Sequence, residues 1–231
     1  MSSSPADSLD TEFLVISGGR QLRRAASPAR QEAYDAEVRT LIRATSEVML
    51  RKGCTEVPKV SEIVHEAGIT NQAFYRHFRS RDDVIVATYE QGMLSVYSYL
   101  RHRVGKKSSW QDKLDAWIDG ILAQIEDPRL ADLSAVIQWN VAQIAREKTE
   151  IEPMGRERIR ALLVSILTES GVADPERQAL FVDNLVTGTA SHYMDTGRQP
   201  TPDDRKALLR FCLAGLGRSP AQADPAPSDH R

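Results

Sequence analysis

Residues 59–81 read KVSEIVHEAGITNQAFYRHFRSR, two short helical patterns separated by a glycine turn. Ile63, Val64 and Ala67 recur at three- to four-residue spacing, which places one apolar stripe on a helix that Pro58 opens in its first turn. Gly68 ends that helix, because glycine enters the left-handed backbone region without a Cβ penalty. Thr70 is then placed to cap a second helix by accepting from a free backbone amide. On that second helix Phe74 and Phe78 lie four apart and point inward, leaving Asn71, Gln72, Ala73, Tyr75, Arg76 and His77 on the outside. Ser80 and Asp83 form a capping box, so a third helix follows at once. A short helix braced from behind, with a donor-rich outer edge, is the arrangement that enters a duplex groove, and the segment reads as a DNA-binding helix-turn-helix.

Upstream, Val38, Leu41, Ile42, Thr45, Val48 and Met49 follow the helical period, and Gly53 supplies a stop. A bracing helix is expected from near Tyr34 to about Lys52. Residues 1–33 show little amphipathic period and are expected to be a disordered extension. Within them Arg20, Arg23, Arg24 and Arg30 form a basic stretch that is either a minor-groove arm or a solvated leader.

Downstream, helix starts are marked by Ser109 with Asp112, Asp127 before Pro128, Asp174 before Pro175, and Thr201 before Pro202. Apolar stripes follow these caps: Leu114, Trp117, Ile118, Ile121, Leu122 and Ile125 in one helix, Leu133, Val136, Ile137, Val141 and Ile144 in the next. Ile159, Leu162, Leu163, Ile166 and Leu167 form a third. No strand alternation competes, so the chain is expected to be all-α with about nine helices. The last two run roughly from Pro175 to Thr196 and from Pro202 to Leu216, and residues 218–231, with Pro220, Pro225 and Pro227, form a loose tail.

The chain has 231 residues, 41% of them hydrophobic and 27% charged, enough for one or two domains with a buried core. Its net charge of −2 is unevenly spread. Residues 20–107 carry 16 basic against 10 acidic side chains, a net of +6, whereas residues 108–231 carry 14 against 19. Positive charge thus gathers around the proposed reader, as attraction to phosphates requires. Cys54 and Cys212 belong to no metal-ligand spacing and are expected to be buried thiols in a reducing compartment. No apolar run approaches the length of about 20 residues needed to span a bilayer, and no secretory leader pattern opens the chain. A cytoplasmic protein, with no membrane partner and no cofactor, is expected. Nucleophile elbows, P-loops, paired-histidine metal motifs and dinucleotide fingerprints are missing from the sequence, which argues against an enzyme.

The segment resembles the N-terminal DNA-binding domain of the TetR family of bacterial transcriptional regulators. Ala67-Gly68-Ile69-Thr70 resembles the family's turn, Phe74-Tyr75-Arg76-His77-Phe78 its aromatic recognition helix, and Arg79-Ser80-Arg81-Asp82-Asp83 the start of its fourth helix. The likeness covers roughly residues 34–90. Arg81 stands where the family usually has lysine, and Val60 where a threonine is common.

The resemblance implies a helix-turn-helix domain over residues 34–83 and a helical bundle over 84–217 that binds a ligand and forms a homodimer through the last two helices. It implies a repressor that binds a palindromic double-stranded DNA operator and is released by a small-molecule effector. An effector-independent DNA-binding accessory protein is the alternative, and an all-helical enzyme a remote one. The expected DNA-binding residues are Lys59, Ser61, Thr70, Asn71, Gln72, Ala73, Tyr75, Arg76, His77 and Arg81. Side-chain chemistry suggests base contacts for Asn71, Gln72, Ala73 and Arg76, and phosphate contacts for Tyr75, His77, Lys59, Ser61 and Arg81. The implied effector pocket lies between the fourth and eighth helices. Its candidate residues are Asn140, which falls on an apolar stripe, with Tyr97, Trp139, Gln143 and His192; each also fits as an ordinary core or interface residue. The apolar helix faces favour a hydrophobic effector.

Overall fold

The computed structural model describes residues 28–147 and 155–217. Among them lie nine α-helices, one short 3₁₀ helix and no strand, in the all-α architecture expected. The helices are α1 (Pro28–Lys52), α2 (Val60–Ala67), α3 (Asn71–His77), α4 (Arg81–Gly105), α5 (Trp110–Leu122), α6 (Pro128–Glu147), α7 (Gly155–Glu169), α8 (Pro175–Thr196) and α9 (Pro202–Gly215). Arg20, Arg23, Arg24 and the tail 218–231 lie outside the described residues, as does the side chain of Arg30.

The caps form as their chemistry dictates. Ser109 Oγ accepts from the Asp112 amide at 3.1 Å, Asp127 Oδ1 from the Arg129 amide at 2.9 Å, and Thr201 Oγ1 from the Asp204 amide at 3.2 Å. Each satisfies an amide that the first turn leaves without a helical partner. Two helix starts differ from expectation. α1 begins at Pro28, six residues before Tyr34, because a proline with its preset φ fits the first helical position and Gln31 bonds Asp35 one turn on at 2.8 Å. α2 begins at Val60, so Pro58 stands outside it. There the Glu62 carboxylate accepts from the Lys59 amide at 2.7 Å and sets the start.

The chain divides into two compact units. The first comprises the described residues up to Tyr99 together with 127–159. It holds one core of Val38, Leu41, Ile63, Phe74, Phe78 and Val84, which joins α1 to α3 and the start of α4. A second core of Met49, Ile85, Tyr89, Val136, Ile137 and Ile144 packs α6 against α1 and α4. The helix-turn-helix therefore rests on a long helix, α1, that faces both cores.

The second unit comprises residues 100–126 and the described residues from Arg160 onward. There α5 packs against α8 and α9, with Leu114, Trp117, Ile118 and Leu122 almost completely buried. Asp119 receives the guanidinium groups of both Arg103 and Arg205, and Arg205 reaches Glu126 at 2.5 Å. Asp183, buried on α8, lies 3.3 Å from Arg160. Cys212 is buried, and the loss of water pushes its thiol pKa up to about 11. Cys54 departs from the expected burial and is exposed, because it sits in the turn after α1, beyond the last residue of the core stripe.

Candidate nucleic-acid interface

The reader is built from its turn outward. Gly68 ends α2 at φ 66°, ψ 30°, and its amide bonds back to His65. In that left-handed conformation a side chain would be strained. Thr70 then caps α3, its Oγ1 accepting from the Ala73 amide at 3.1 Å. This role turns the Thr70 hydroxyl toward the helix it starts.

On α3, Phe74 is fully buried and Phe78 nearly so, with ring centroids 5.8 Å apart. Burying one edge so completely sets which side chains face out. Asn71, Gln72 and Arg76 are exposed, Ala73 is half-buried, and Tyr75 is 58% exposed, an unusual state for a large aromatic ring.

His77 is not on the outer edge. Its side chain is only 1% exposed, its Nε2 lies 2.6 Å from Glu37 Oε2, and its ring meets that of Tyr34 at a tilt of 60° with centroids 4.4 Å apart. The expectation that His77 holds a phosphate is corrected: a pocket formed by α1 draws the imidazole inward, and the carboxylate there takes its proton-bearing nitrogen. Nδ1 is buried without a hydrogen-bond partner among the described residues.

Glu37 also holds Arg76, whose Nη2 is 2.9 Å from Oε2. The hydrogen bond from His77, helped by the charge of Arg76, keeps the Glu37 carboxyl below the ordinary carboxylate range against the opposing effect of burial. Tyr34 and Glu37 meet the end of α3 at His77 and Arg76, and the sequence pattern did not single them out for it. They lie three apart, one turn ahead of the α1 core stripe, but their partner lies 40 positions away, beyond any local pattern.

The remaining cations surround this edge. Lys59 is 68% exposed at the start of α2, with Glu56 3.7 Å away. Ser61 is exposed beside it. Arg81 at the start of α4 is partly exposed, its Nε 3.0 Å from Asp82. Ser80 and Asp83 form the box ahead of α4, with Ser80 Oγ accepting from the Asp83 amide at 3.1 Å and Asp83 Oδ2 accepting from the Arg79 amide at 3.0 Å. Behind α2, Lys52 joins Glu62 at 2.8 Å and Glu56 at 2.9 Å, and these carboxylates, Glu62 first, raise its pKa. The frame is thus tied by ion pairs at its back while polar and cationic side chains occupy its front.

The candidate effector residues are placed as follows. Asn140 on α6 is fully buried; its Nδ2 donates to Val136 O at 2.8 Å, and its Oδ1 has no hydrogen-bond partner among the described residues. Tyr97 and Trp139 are half-buried, and Gln143 Oε1 lies 3.5 Å from Arg146. His192, in the second unit, is exposed, with its ring 6.0 Å from that of Tyr193.

A tight turn at a left-handed glycine, a sealed aromatic inner edge and a polar outer edge define a helix-turn-helix. Residues 41–88 match the family model described as bacterial regulatory proteins, tetR family. That match covers the helix-turn-helix and the first residues of α4, and over this segment the chain is similar to the TetR family. It is similar to the transposon Tn10 TetC protein of Escherichia coli, with 22% identity over 168 residues, 71% of this chain and 81% of that one. In fold it is similar to a putative transcriptional regulator from Pseudomonas aeruginosa PAO1, at 22% identity and a TM-score of 0.59, covering 86% of this chain and 95% of that one. It is also similar in fold to FadR from Bacillus subtilis, solved in complex with stearoyl-CoA, at 21% identity and a TM-score of 0.55, covering 77% and 96% of the two chains.

No described helix is long and apolar enough to cross a membrane. Among the described residues no group of His, Cys, Asp and Glu is arranged to hold a metal ion.

Proposed function

We propose that this protein is a dimeric repressor in which two copies of α3 read a palindromic operator and a small, hydrophobic effector lowers operator affinity. The observation that carries the reading is the outer edge of α3, where Asn71, Gln72, Tyr75 and Arg76 stand exposed while Phe74 and Phe78 seal the inner edge. Seven residues of helix contact too few base pairs for selectivity. Two such helices about 34–36 Å apart, or at a multiple of that spacing, read a repeated site.

Asn71 and Gln72 suit adenine edges, Arg76 suits guanine, and the Ala73 methyl suits thymine. Tyr75, Lys59, Ser61 and Arg81 suit phosphates. His77 takes a positioning role: through Glu37 it holds the last turn of α3 and the Arg76 guanidinium against α1. The dimer reading is supported by Leu180 and Phe181 on α8 and Phe211 on α9, exposed by 39%, 58% and 67%. Large apolar side chains left in water at this density favour a second copy as their cover.

An effector is supported by the Asn140 Oδ1 left without a partner in an apolar setting, which a donor on a bound molecule would satisfy. The stearoyl-CoA held by the similar Bacillus subtilis FadR is consistent with a largely apolar effector. Binding represses or releases only through a difference in affinity between the DNA-compatible and incompatible states.

The test is selection of bound fragments from a randomised duplex pool, followed by retardation of the enriched sequence at moderate salt. Enrichment of an inverted repeat, shifted by a dimer, is expected. Failure to retain duplex DNA of any sequence overturns the reading.

A further inference from the structure

We propose that the cleft between α1, α4 and α6 is a binding site for a small amphipathic carboxylate. All its walls belong to the first compact unit, and it encloses about 610 Å³. That size falls within the range of about 300–1,000 Å³ typical of small-molecule sites. It is a different place from the candidate effector residues, since Tyr97, Trp139, Asn140, Gln143 and His192 do not line it.

Its floor comes from one stripe of α4: Thr88, Gln91, Gly92 and Ser95 follow the i, i+3, i+4, i+7 spacing that brings side chains to a single helix face. Helix packing normally fills such a stripe with apolar side chains. Here the buried positions are polar instead. Thr88 and Ser95 satisfy their hydroxyls on α4 itself, donating to Val84 O at 2.7 Å and Gln91 O at 3.1 Å. Gln91 does not. It is 8% exposed, it lines the cleft, and its side-chain amide has no hydrogen-bond partner among the described residues. That amide, open to the cleft, can donate to, and accept from, a bound molecule.

The opposite walls are of another character. Ile42 and Leu50 from α1 and Leu130, Leu133 and Ile137 from α6 present an apolar surface. At the rim stand Arg39, Arg43 and Arg129 against Glu47 and Asp127. Arg129 is held by Glu47 at 2.8 Å, Asp127 is engaged with the first amides of α6, and Arg39 has partners of its own. Arg43 is exposed and makes no ion pair or hydrogen bond from its side chain among the described residues. An apolar cavity with an unmatched amide at its floor and an uncompensated guanidinium at its mouth is complementary to an apolar body ending in a carboxylate.

The test needs no DNA, so its failure leaves the operator reading standing. The full chain is titrated calorimetrically with octanoate and, separately, with octan-1-ol. Saturable octanoate binding with a Kd below about 1 mM is expected. Gly92→Leu closes the cleft: a Cβ at Gly92 meets no atom within 4 Å, so the side chain grows into open space on the floor. That variant is expected to keep or raise its melting temperature while losing octanoate affinity at least tenfold. Arg43→Gln is expected to weaken octanoate about fivefold and to leave octan-1-ol unchanged. No saturable octanoate binding, unaltered binding in Gly92→Leu, or equal losses for acid and alcohol in Arg43→Gln each overturn the proposal.

Discussion

His77 Nε2 lies 2.6 Å from Glu37 Oε2, which ties the last turn of the recognition helix to the bracing helix through a side chain that water barely reaches. The same carboxylate holds Arg76 from the outer edge. One acid on α1 thus holds both a buried and an exposed residue of α3.

The first prediction concerns pH. The folded-state pKa of Glu37 is depressed, so its contribution to stability is present above the unfolded pKa and is lost as pH falls through the folded one. Glu37→Gln is expected to cost about 1 kcal/mol near neutrality, a value reduced for solvent screening because the carboxylate is 40% exposed. Thermal melts of the two proteins should converge as pH drops below the carboxylate range. A gap that stays constant with pH would show that the ionised form is not what stabilises the contact.

A second prediction separates base readers from phosphate holders. Gln72→Ala and Arg76→Ala are each expected to lose about 1–3 kcal/mol of discrimination at particular base pairs. Tyr75→Ala should weaken all duplexes about equally. Binding to a panel of single-base operator variants distinguishes them, and parallel losses for all three substitutions would remove the division.

The dimer can be tested where the chain exposes its large apolar side chains. Phe181→Glu combined with Phe211→Glu is expected to yield a folded monomer, since each ring is more than half exposed and contributes little to its own core. Sedimentation equilibrium gives the mass and circular dichroism checks that the helices persist. A double variant that remains dimeric would place the interface elsewhere.

Two glycines should respond in opposite directions. Gly68→Ala forces a Cβ into the left-handed region and is expected to destabilise by about 1–2 kcal/mol, although nothing crowds the position. Gly92→Ala lies within α4, has no positive φ and faces open space, so it should stabilise by about 0.8–1 kcal/mol. Chemical denaturation midpoints measure both.

Helix identity and most helix ends are legible in the sequence alone. Gly68, Thr70, Ser109, Asp174 and Thr201 act within four residues of themselves, so composition at short range suffices to place them. The inward pair Phe74 and Phe78 was equally readable, because helical period alone puts them on one face. The start of α1 was less so. Pro28 to Ala33 carry no apolar stripe, so amphipathic period gives no signal for a helix there.

Local spacing thus decided the all-α class, the order of the helices and the position of the reader, since capping, turn geometry and amphipathic period are interactions between near neighbours in the chain. Only the folded arrangement turned His77 inward onto Glu37 and set Gln91 beneath an apolar cleft rimmed by Arg43. Those outcomes depend on side chains tens of residues apart meeting at one place, and burial and pairing at that place override what each residue would do alone in water.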